Sequence, residues 1–320
     1  MRKDLIPANA VIAANRIAEY VRETPLEYSA YFSELTGANV YLKLENQQRT
    51  GSFKFRGACN KLLALDDASR DAGCVAASSG NHGAAVATAM NLMGVKGVIF
   101  VPEQASKAKV DAIKRAAGDV RLFGTDGLDT EEHARQYAAD NGMTYLSPYN
   151  DADVIAGQGS CGVEIARQID NVDALFIAVG GGGLISGVGS FLKSVHRHLV
   201  VVGCQPENSP VMAKSAEAGE ILDLPSDPTL SDGTAGGIEE AAITFDICQE
   251  LVDRYLLVSE EEIADAMREF IDAHSQLIEG AAAVPIAALK RISADFQGKD
   301  VVIVICGGNI SRATLGKIIC

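Results

Sequence analysis

The sequence predicts an α/β protein of two lobes, each a mostly parallel twisted sheet covered by helices. Short β-rich runs alternate with helical patterns along nearly the whole chain, as they do where parallel strands are joined by helical crossovers. Ala174–Val179 is apolar throughout, as a strand buried on both faces must be. The 320 residues are long for one hydrophobic core and suit two.

The elements follow in chain order. Ala10, Ala14, Ile17, Ala18 and Val21 fall on one helical face, with Pro7 just before them and Thr24-Pro25 as the stop. Val40, Leu42 and Leu44 alternate with polar neighbours, the pattern of a half-buried strand, and a helix is expected from Phe53 to Leu65. Strands at 74–78, 98–101, 120–123 and 144–146 then alternate with helices at 81–92, 106–117 and 129–140, Ser106 being placed as a helix cap. A second series has helices at 153–169, 184–195, 260–274 and 281–292 and strands at 174–179, 199–203, 255–258 and 301–305. Residues 206–245 contain Pro206, Pro210, Pro225 and Pro228 and many glycines, and read as loop. The smaller lobe is expected to span 70–147, and the larger 1–69 together with 148–320.

Composition narrows the function. Hydrophobic residues make up 48% and charged residues 22%, a globular balance. A net charge of −14 argues against nucleic acid and anionic membrane as partners. No apolar stretch is long enough to span a bilayer, and no apolar segment follows the charged Met1–Leu5 start, so neither a membrane anchor nor a signal peptide is expected. The 7 cysteines form no Cys-x-x-Cys pair, which points to reduced thiols in a cytoplasmic protein. His196 and His198 read as a solvated helix end rather than metal ligands, and no metal site is expected.

Three segments carry chemistry. Gly180-Gly181-Gly182-Gly183 lies between a buried strand and a helix. Without Cβ atoms its N–H groups can converge beside the positive end of the helix dipole, a seat for a phosphate, although a tight turn alone would use the same residues. It is not a Walker loop, and the dinucleotide pattern fails because the sixth residue from Gly180 is Ile185 and from Gly181 is Ser186. Ser78-Ser79-Gly80-Asn81-His82-Gly83 joins another strand to a helix and offers a second anion seat, suited to a substrate carboxylate or simply to capping a turn. In Thr50-Gly51-Ser52-Phe53-Lys54-Phe55-Arg56-Gly57, a lysine stands between two aromatics at a helix start, where partial desolvation would make a neutral amine available.

Together these runs resemble the serine/threonine dehydratase and serine racemase family, fold type II pyridoxal 5'-phosphate enzymes related to the tryptophan synthase β subunit. Ser52–Gly57 is similar to their cofactor-lysine motif, and Ser78–Gly83 to their asparagine loop. Ile155-Ala156-Gly157-Gln158-Gly159, the tetraglycine run, Asp232-Gly233 and Cys306-Gly307-Gly308-Asn309 match in order and spacing. The resemblance implies that Lys54 carries the cofactor as a Schiff base and acts as base at Cα. Phe53 would lie against the pyridine ring, and Asn81 would bond its 3-oxygen. Ser78, Ser79, Asn81 and His82, with Gly233, would surround the substrate. Gly180, Gly181, Gly182 and Gly183 would bind the phosphate, and Cys306 would face the pyridine nitrogen.

The activity so implied is conversion of a β-hydroxy amino acid, such as L-threonine or L-serine, to a 2-oxo acid and ammonia. Ser79 matches the opposite-face acid/base of serine racemases, so racemisation is an alternative, and an amino-acid sensor on the same fold is a non-enzymatic one. The runs Gln205–Pro210 and Leu230–Gly237 resemble a dehydratase branch associated with hydroxyectoine breakdown. The family resemblance also implies a homodimer. Two departures stand out. At the family's divalent-metal site, Gln205 stands where the first carboxylate is expected and the later aspartate falls near Val211, with Glu207 as the acid that could compensate. The family's Glu-Pro-Ser/Thr-Ala-Gly appears as Glu279-Gly280-Ala281-Ala282-Ala283, so the glutamate is kept and its neighbours differ.

Overall fold

The computed structural model describes residues 2–116, 119–125 and 127–319. Its strands are β1 (Leu26–Tyr28), β2 (Asn39–Lys43), β3 (Cys74–Ala77), β4 (Gly97–Val101), β5 (Asp119–Leu122), β6 (Thr144–Tyr145), β7 (Ala174–Ala178), β8 (Val200–Pro206), β9 (Arg254–Val258) and β10 (Asp300–Val304). They form a six-stranded sheet of order β1-β2-β10-β7-β8-β9 and a four-stranded sheet of order β5-β4-β3-β6. Every pairing is parallel except β1 with β2. The predicted class, parallel sheets covered by helices, is the observed one.

Each element has a local cause. β7 and β10 lie at the centre of the larger sheet, and their apolar runs are buried on both faces. The helix Ala152–Gln168 is capped by Asp151, whose carboxylate accepts the N–H groups of Asp153 and Val154 at 2.8 and 3.0 Å. That helix is buried from Val154 to Ile165 and packs against the helices Ile6–Ile17, Lys54–Ala64 and Gly183–Val195. The helix Glu260–His274 begins with a capping box formed by Ser259 and Glu262. Ser106 Oγ accepts the N–H of Lys109 at 3.4 Å, the cap expected of it, before the helix Lys107–Arg115. The final residue of the helix expected over 106–117 lies outside the described residues.

Several elements escaped the periodicity. Pro7 is inside the first helical turn rather than before it, and the helix ends at Ile17. The segment expected as loop over 206–245 contains the helix Val211–Ala218 and the start of the helix Ile243–Leu251. The first follows Pro210 and ends on Gly219 in the left-handed region, φ 78°. The edge strand β1 and the helices Ala30–Thr36, Asp67–Ala72 and Arg312–Ile319 are too short to show a period.

The strands of the smaller sheet all fall between Cys74 and Tyr145. Its hydrophobic cluster nevertheless recruits Phe55, Ala58, Cys59 and Leu62 of the helix Lys54–Ala64, together with Ile17. The helix that begins at Lys54 therefore packs on the core of the smaller sheet and, on its other side, on Ala152–Gln168. Two residues past Lys54, Arg56 enters a buried ion cluster. Its guanidinium donates to Glu45 at 2.7 and 2.8 Å and to Glu164 at 2.6 and 2.8 Å. Lys43 donates to Glu164 at 2.7 Å and to the Thr24 carbonyl at 2.7 Å. Lys43, Glu45 and Arg56 are wholly buried. Burial alone would raise the Glu45 carboxyl, but the Arg56 guanidinium outweighs it and holds it below the usual carboxylate range.

Removing one member of such a cluster strands the others in a dry interior. Arg56→Met is therefore expected to lower unfolding stability by about 3–5 kcal/mol, read as a shift of the urea midpoint. A loss below about 1 kcal/mol would show the cluster to be solvated. The share contributed by Glu45, whose folded pKa is depressed, is complete at neutral pH. It is lost as pH falls through the folded value.

Candidate active site

Four segments meet where the carboxyl ends of β3, β7 and β10 approach the start of the helix Lys54–Ala64. Ser52 forms a β-bridge with Gly307, the Phe53 N–H donates to the Cys306 carbonyl at 3.0 Å, and Gly308 N–H donates to Gly51 O at 2.9 Å. The lysine segment is thus pinned to the turn after β10. Lys54 keeps part of its surface open, its amine donates to the Pro148 carbonyl at 2.9 Å, and it lies 5.1 Å from the centre of the Phe53 ring. Burial lowers its pKa from 10.5 to about 8, against the opposing influence of Cys306 and Glu279.

The next residue, Tyr149, packs on the glycine loop. A Cβ at Gly181 would lie 2.3 Å from the Tyr149 ring, and one at Gly183 would lie 3.0 Å from Tyr149 Cβ. Gly182 is the N-cap of the helix Gly183–Val195 and adopts φ 84°, a left-handed conformation that favours glycine. The run between β7 and this helix is therefore bare backbone at a helix N-terminus. Consecutive residues, Pro148 and Tyr149, touch the amine and the glycine loop respectively.

The circuit closes on the far side. Gly180 abuts the backbone of Thr234, where a Cβ would come within 3.0 Å of its Cα. A Cβ at the neighbouring Gly233 would lie 3.7 Å from Glu279 Oε1 and 3.6 Å from the Ala281 Cβ. Glu279, nearly buried, accepts the Asn81 side-chain amide on both oxygens at 2.9 Å and the Asn309 N–H at 3.2 Å. The Asn309 amide donates in turn to Asn81 Oδ1 at 2.8 Å, which fixes which way the Asn81 amide points. Burial raises the Glu279 carboxyl above its ordinary value.

The second anion seat lies at the start of the helix Asn81–Met93, whose N-cap, Gly80, has no capping side chain. Its first-turn N–H groups have no acceptor within the helix. Ser78 Oγ accepts the Gly80 N–H at 3.1 Å and shapes the turn. The Ser79 hydroxyl has no hydrogen-bond partner among the described residues. His82 differs from expectation. Its ring is buried, and Nε2 lies 2.9 Å from the Leu146 carbonyl, so this nitrogen carries the proton. Burial, with Lys54 nearby, lowers its pKa to about 3 and keeps the ring neutral. Only the backbone N–H of His82, in the first helical turn, is placed for an anion. His82 shares a helical face with the buried Ala85, Val86 and Ala89, so its inward ring was readable from spacing.

Cys306 is buried at the start of the turn after β10, and burial pushes its thiol well above the ordinary value, so it is a neutral group here. The residues present fit pyridoxal phosphate. There is an amine of depressed pKa, a loop free of side chains at a helix start for a phosphate, and a buried Ser52 hydroxyl without a partner among the described residues. Pro148, Tyr149 and Asn309 were not foreseen as individual contacts, because turn residues far apart in sequence show no period.

This geometry sets two expectations. The capture of pyridoxal phosphate by the apoprotein should accelerate as pH rises through about 8 rather than about 10.5, since only the neutral amine attacks; stopped-flow absorbance across pH reads this. Gly181→Ala should weaken cofactor binding by at least about tenfold, because the new methyl collides with the Tyr149 ring; an absorbance titration giving wild-type affinity would contradict it.

Comparison with known proteins identifies the family. A family model described as "Pyridoxal-phosphate dependent enzyme" matches residues 17–307. An L-threonine dehydratase, catabolic TdcB, of Staphylococcus aureus is 40% identical over 307 residues, covering 95% of this chain and 88% of that protein. An L-threonine ammonia-lyase of Thermotoga maritima is 40% identical over 307 residues, covering 96% of this chain and 76% of that protein. Among solved structures, the processed form of threonine deaminase isoform 2 from Solanum lycopersicum superposes with a TM-score of 0.93. It is 32% identical and covers 98% of this chain and 92% of that one. Maize serine racemase gives 0.92 at 31% identity, covering 97% and 95%. With the match spanning nearly the whole chain and Lys54 standing beside the bare glycine loop, the chain belongs to the pyridoxal-phosphate-dependent enzyme family, in its fold type II branch.

Proposed function

We propose that this enzyme is an ammonia-lyase that converts a β-hydroxy amino acid, such as L-threonine or L-serine, to a 2-oxo acid and ammonia. The observation that carries the reading is the Lys54 amine. It is desolvated to a pKa of about 8 and held by the Pro148 carbonyl, on the turn whose next residue packs on the glycine loop. The threonine dehydratase and ammonia-lyase names of the relatives support the substrate class.

In this reading the glycine loop, Gly180 to Gly183, receives the cofactor phosphate through backbone N–H groups at the helix start. The first turn of Asn81–Met93, with Ser78 and Ser79, receives the substrate carboxylate and so orients the Cα–H bond toward Lys54. Asn81, oriented by Glu279 and Asn309, would reach the cofactor's 3-oxygen by turning one N–H from Glu279 to it, Phe53 would flank the ring, and Gly233 would leave room beside the substrate. Bound pyridoxal phosphate supplies a conjugated electron sink that makes the Cα proton acidic. Lys54, whose lowered pKa of about 8 leaves far more of its amine neutral than an ordinary lysine has, would take that proton. Cys306, a neutral buried thiol, would face the pyridine nitrogen without the charge by which a carboxylate would hold a proton there. The bond balance is simple: a C–H and a C–O bond break, water leaves, and one water is consumed when ammonia is released.

A second reading, racemisation on the same site, is favoured by the unpartnered Ser79 hydroxyl and by the resemblance to maize serine racemase. A substrate from the hydroxyectoine-related branch remains a variant of the first. We take the enzyme as a cytoplasmic homodimer of two lobes. The exposed Tyr28, Tyr31 and Leu35 near the edge strand β1 support a partner surface, and no helix among the described residues is long and apolar enough to cross a membrane.

Lys54→Ala should abolish 2-oxo acid formation from every member of a panel of serine, threonine, 3-hydroxyaspartate and hydroxyectoine-derived acids. Undiminished turnover would end the proposal. Ser79→Ala should remove any racemisation, scored by chiral analysis of residual serine, while much of the elimination survives. Equal loss of both would count against Ser79 as an opposite-face acid.

A further inference from the structure

Gln205, near the end of β8, is buried, and both ends of its amide are engaged. Its nitrogen donates to the Val179 carbonyl at 3.0 Å and to the Ser209 carbonyl at 3.4 Å. Its oxygen accepts the N–H of Ala213 at 2.7 Å. The assignment of the two ends is forced, since carbonyls only accept and a backbone N–H only donates. Each partner leads to the glycine loop. Val179 immediately precedes Gly180. Ser209 Oγ receives the Gly236 N–H at 3.2 Å, in the segment whose Thr234 abuts Gly180. Ala213 lies in the first turn of Val211–Ala218, and the Met212 methyl would be 3.1 Å from a Cβ at Gly182.

The donor set also says what this place will not hold. Two carbonyl oxygens face one point, and a carboxylate at 205 would put a third oxygen there. That trio repels unless a proton or a cation joins it. The amide N–H₂ meets both carbonyls without any ion. Among the described residues, no group of three or more His, Cys, Asp or Glu side chains converges to hold a metal. The nearby Glu207 carboxylate is turned to Arg291, at 3.6 Å.

We propose that Gln205 is a positioning residue for the phosphate cradle, and that its neutral amide does the bracing a divalent cation would do there, so that cofactor binding by this chain is independent of metal ions. The proposal rests on the reading that the glycine loop holds the cofactor phosphate. It predicts that one substitution, Gln205→Glu, converts the brace into a cation-dependent one.

The test is an absorbance titration of the apoprotein with pyridoxal phosphate, and in parallel with pyridoxal, which lacks the phosphate. Each is run in EDTA, in CaCl₂ and in MgCl₂. Wild type should give the same affinity for pyridoxal phosphate in all three. Gln205→Met, similar in size but without hydrogen bonds, should bind pyridoxal phosphate about tenfold more weakly, the equivalent of roughly one buried hydrogen bond, with pyridoxal little changed and no rescue by either cation. Gln205→Glu should bind weakly in EDTA and recover in CaCl₂ or MgCl₂. A wild type that loses affinity in EDTA and regains it in MgCl₂ overturns the proposal, as does a Gln205→Met variant of wild-type affinity. If Gln205→Met does not fold, Gln205→Glu decides: recovery with calcium supports the brace, and a chain unfolded or indifferent with and without calcium overturns it. A wild type that binds pyridoxal as tightly as pyridoxal phosphate would instead remove the phosphate cradle itself, a result distinct from failure at Gln205.

Discussion

The turn Pro148-Tyr149 sets the distance on which the site depends. One residue accepts the Lys54 amine through its carbonyl, and the next lays its ring against Gly181. Because the two residues are adjacent, one short turn carries both the acceptor of the amine and the ring that packs on the glycine loop. The turn is itself anchored. Ser147 Oγ accepts the Asn150 N–H at 2.9 Å, Asn150 donates to Glu239 at 3.0 Å, and the Tyr149 hydroxyl accepts the Glu239 N–H at 2.9 Å. Glu239 also pairs with Arg135 at 2.7 Å, on a helix over the smaller sheet. The segment that holds Glu239 and the smaller sheet are thereby tied to the same few residues.

Beneath Lys54 the protein spends stability on placement. A buried cluster of two cations and two carboxylates is seldom worth more than apolar packing of the same volume. Here it joins β2, the helix that begins at Lys54 and the long helix Ala152–Gln168, with Thr24 as a further acceptor. Its directional bonds fix the rotation of the lysine helix in a way that apolar contacts alone would not. Above, Glu279 orders the upper rim by holding Asn81 and Asn309. Desolvation is the common thread: it loosens the proton on Lys54, keeps the Cys306 thiol neutral and raises the Glu279 carboxyl.

Much of this was legible in the sequence, for reasons that can be named. The apolar runs of β7 and β10 read as doubly buried strands, and Glu260–His274 carries its own cap. The tetraglycine run is unusual enough to imply a backbone cradle. The helix Val211–Ala218 was lost among prolines, although Pro210 before it and Gly219 after it are its true boundary signals. The role of Gln205 as a cross-link was not legible, because it depends on three backbone groups brought together only by folding. The resemblance sets His82 among the residues around the substrate, with no word on which way its ring points. The spacing of Ala85, Val86 and Ala89 points it inward.

Borohydride reduction of the cofactor-loaded protein, followed by peptide mass mapping, tests the central arrangement most directly. The account predicts a single phosphopyridoxyl adduct, on Lys54. An adduct on Lys43, Lys61 or any other lysine, with Lys54 unmodified, would contradict it.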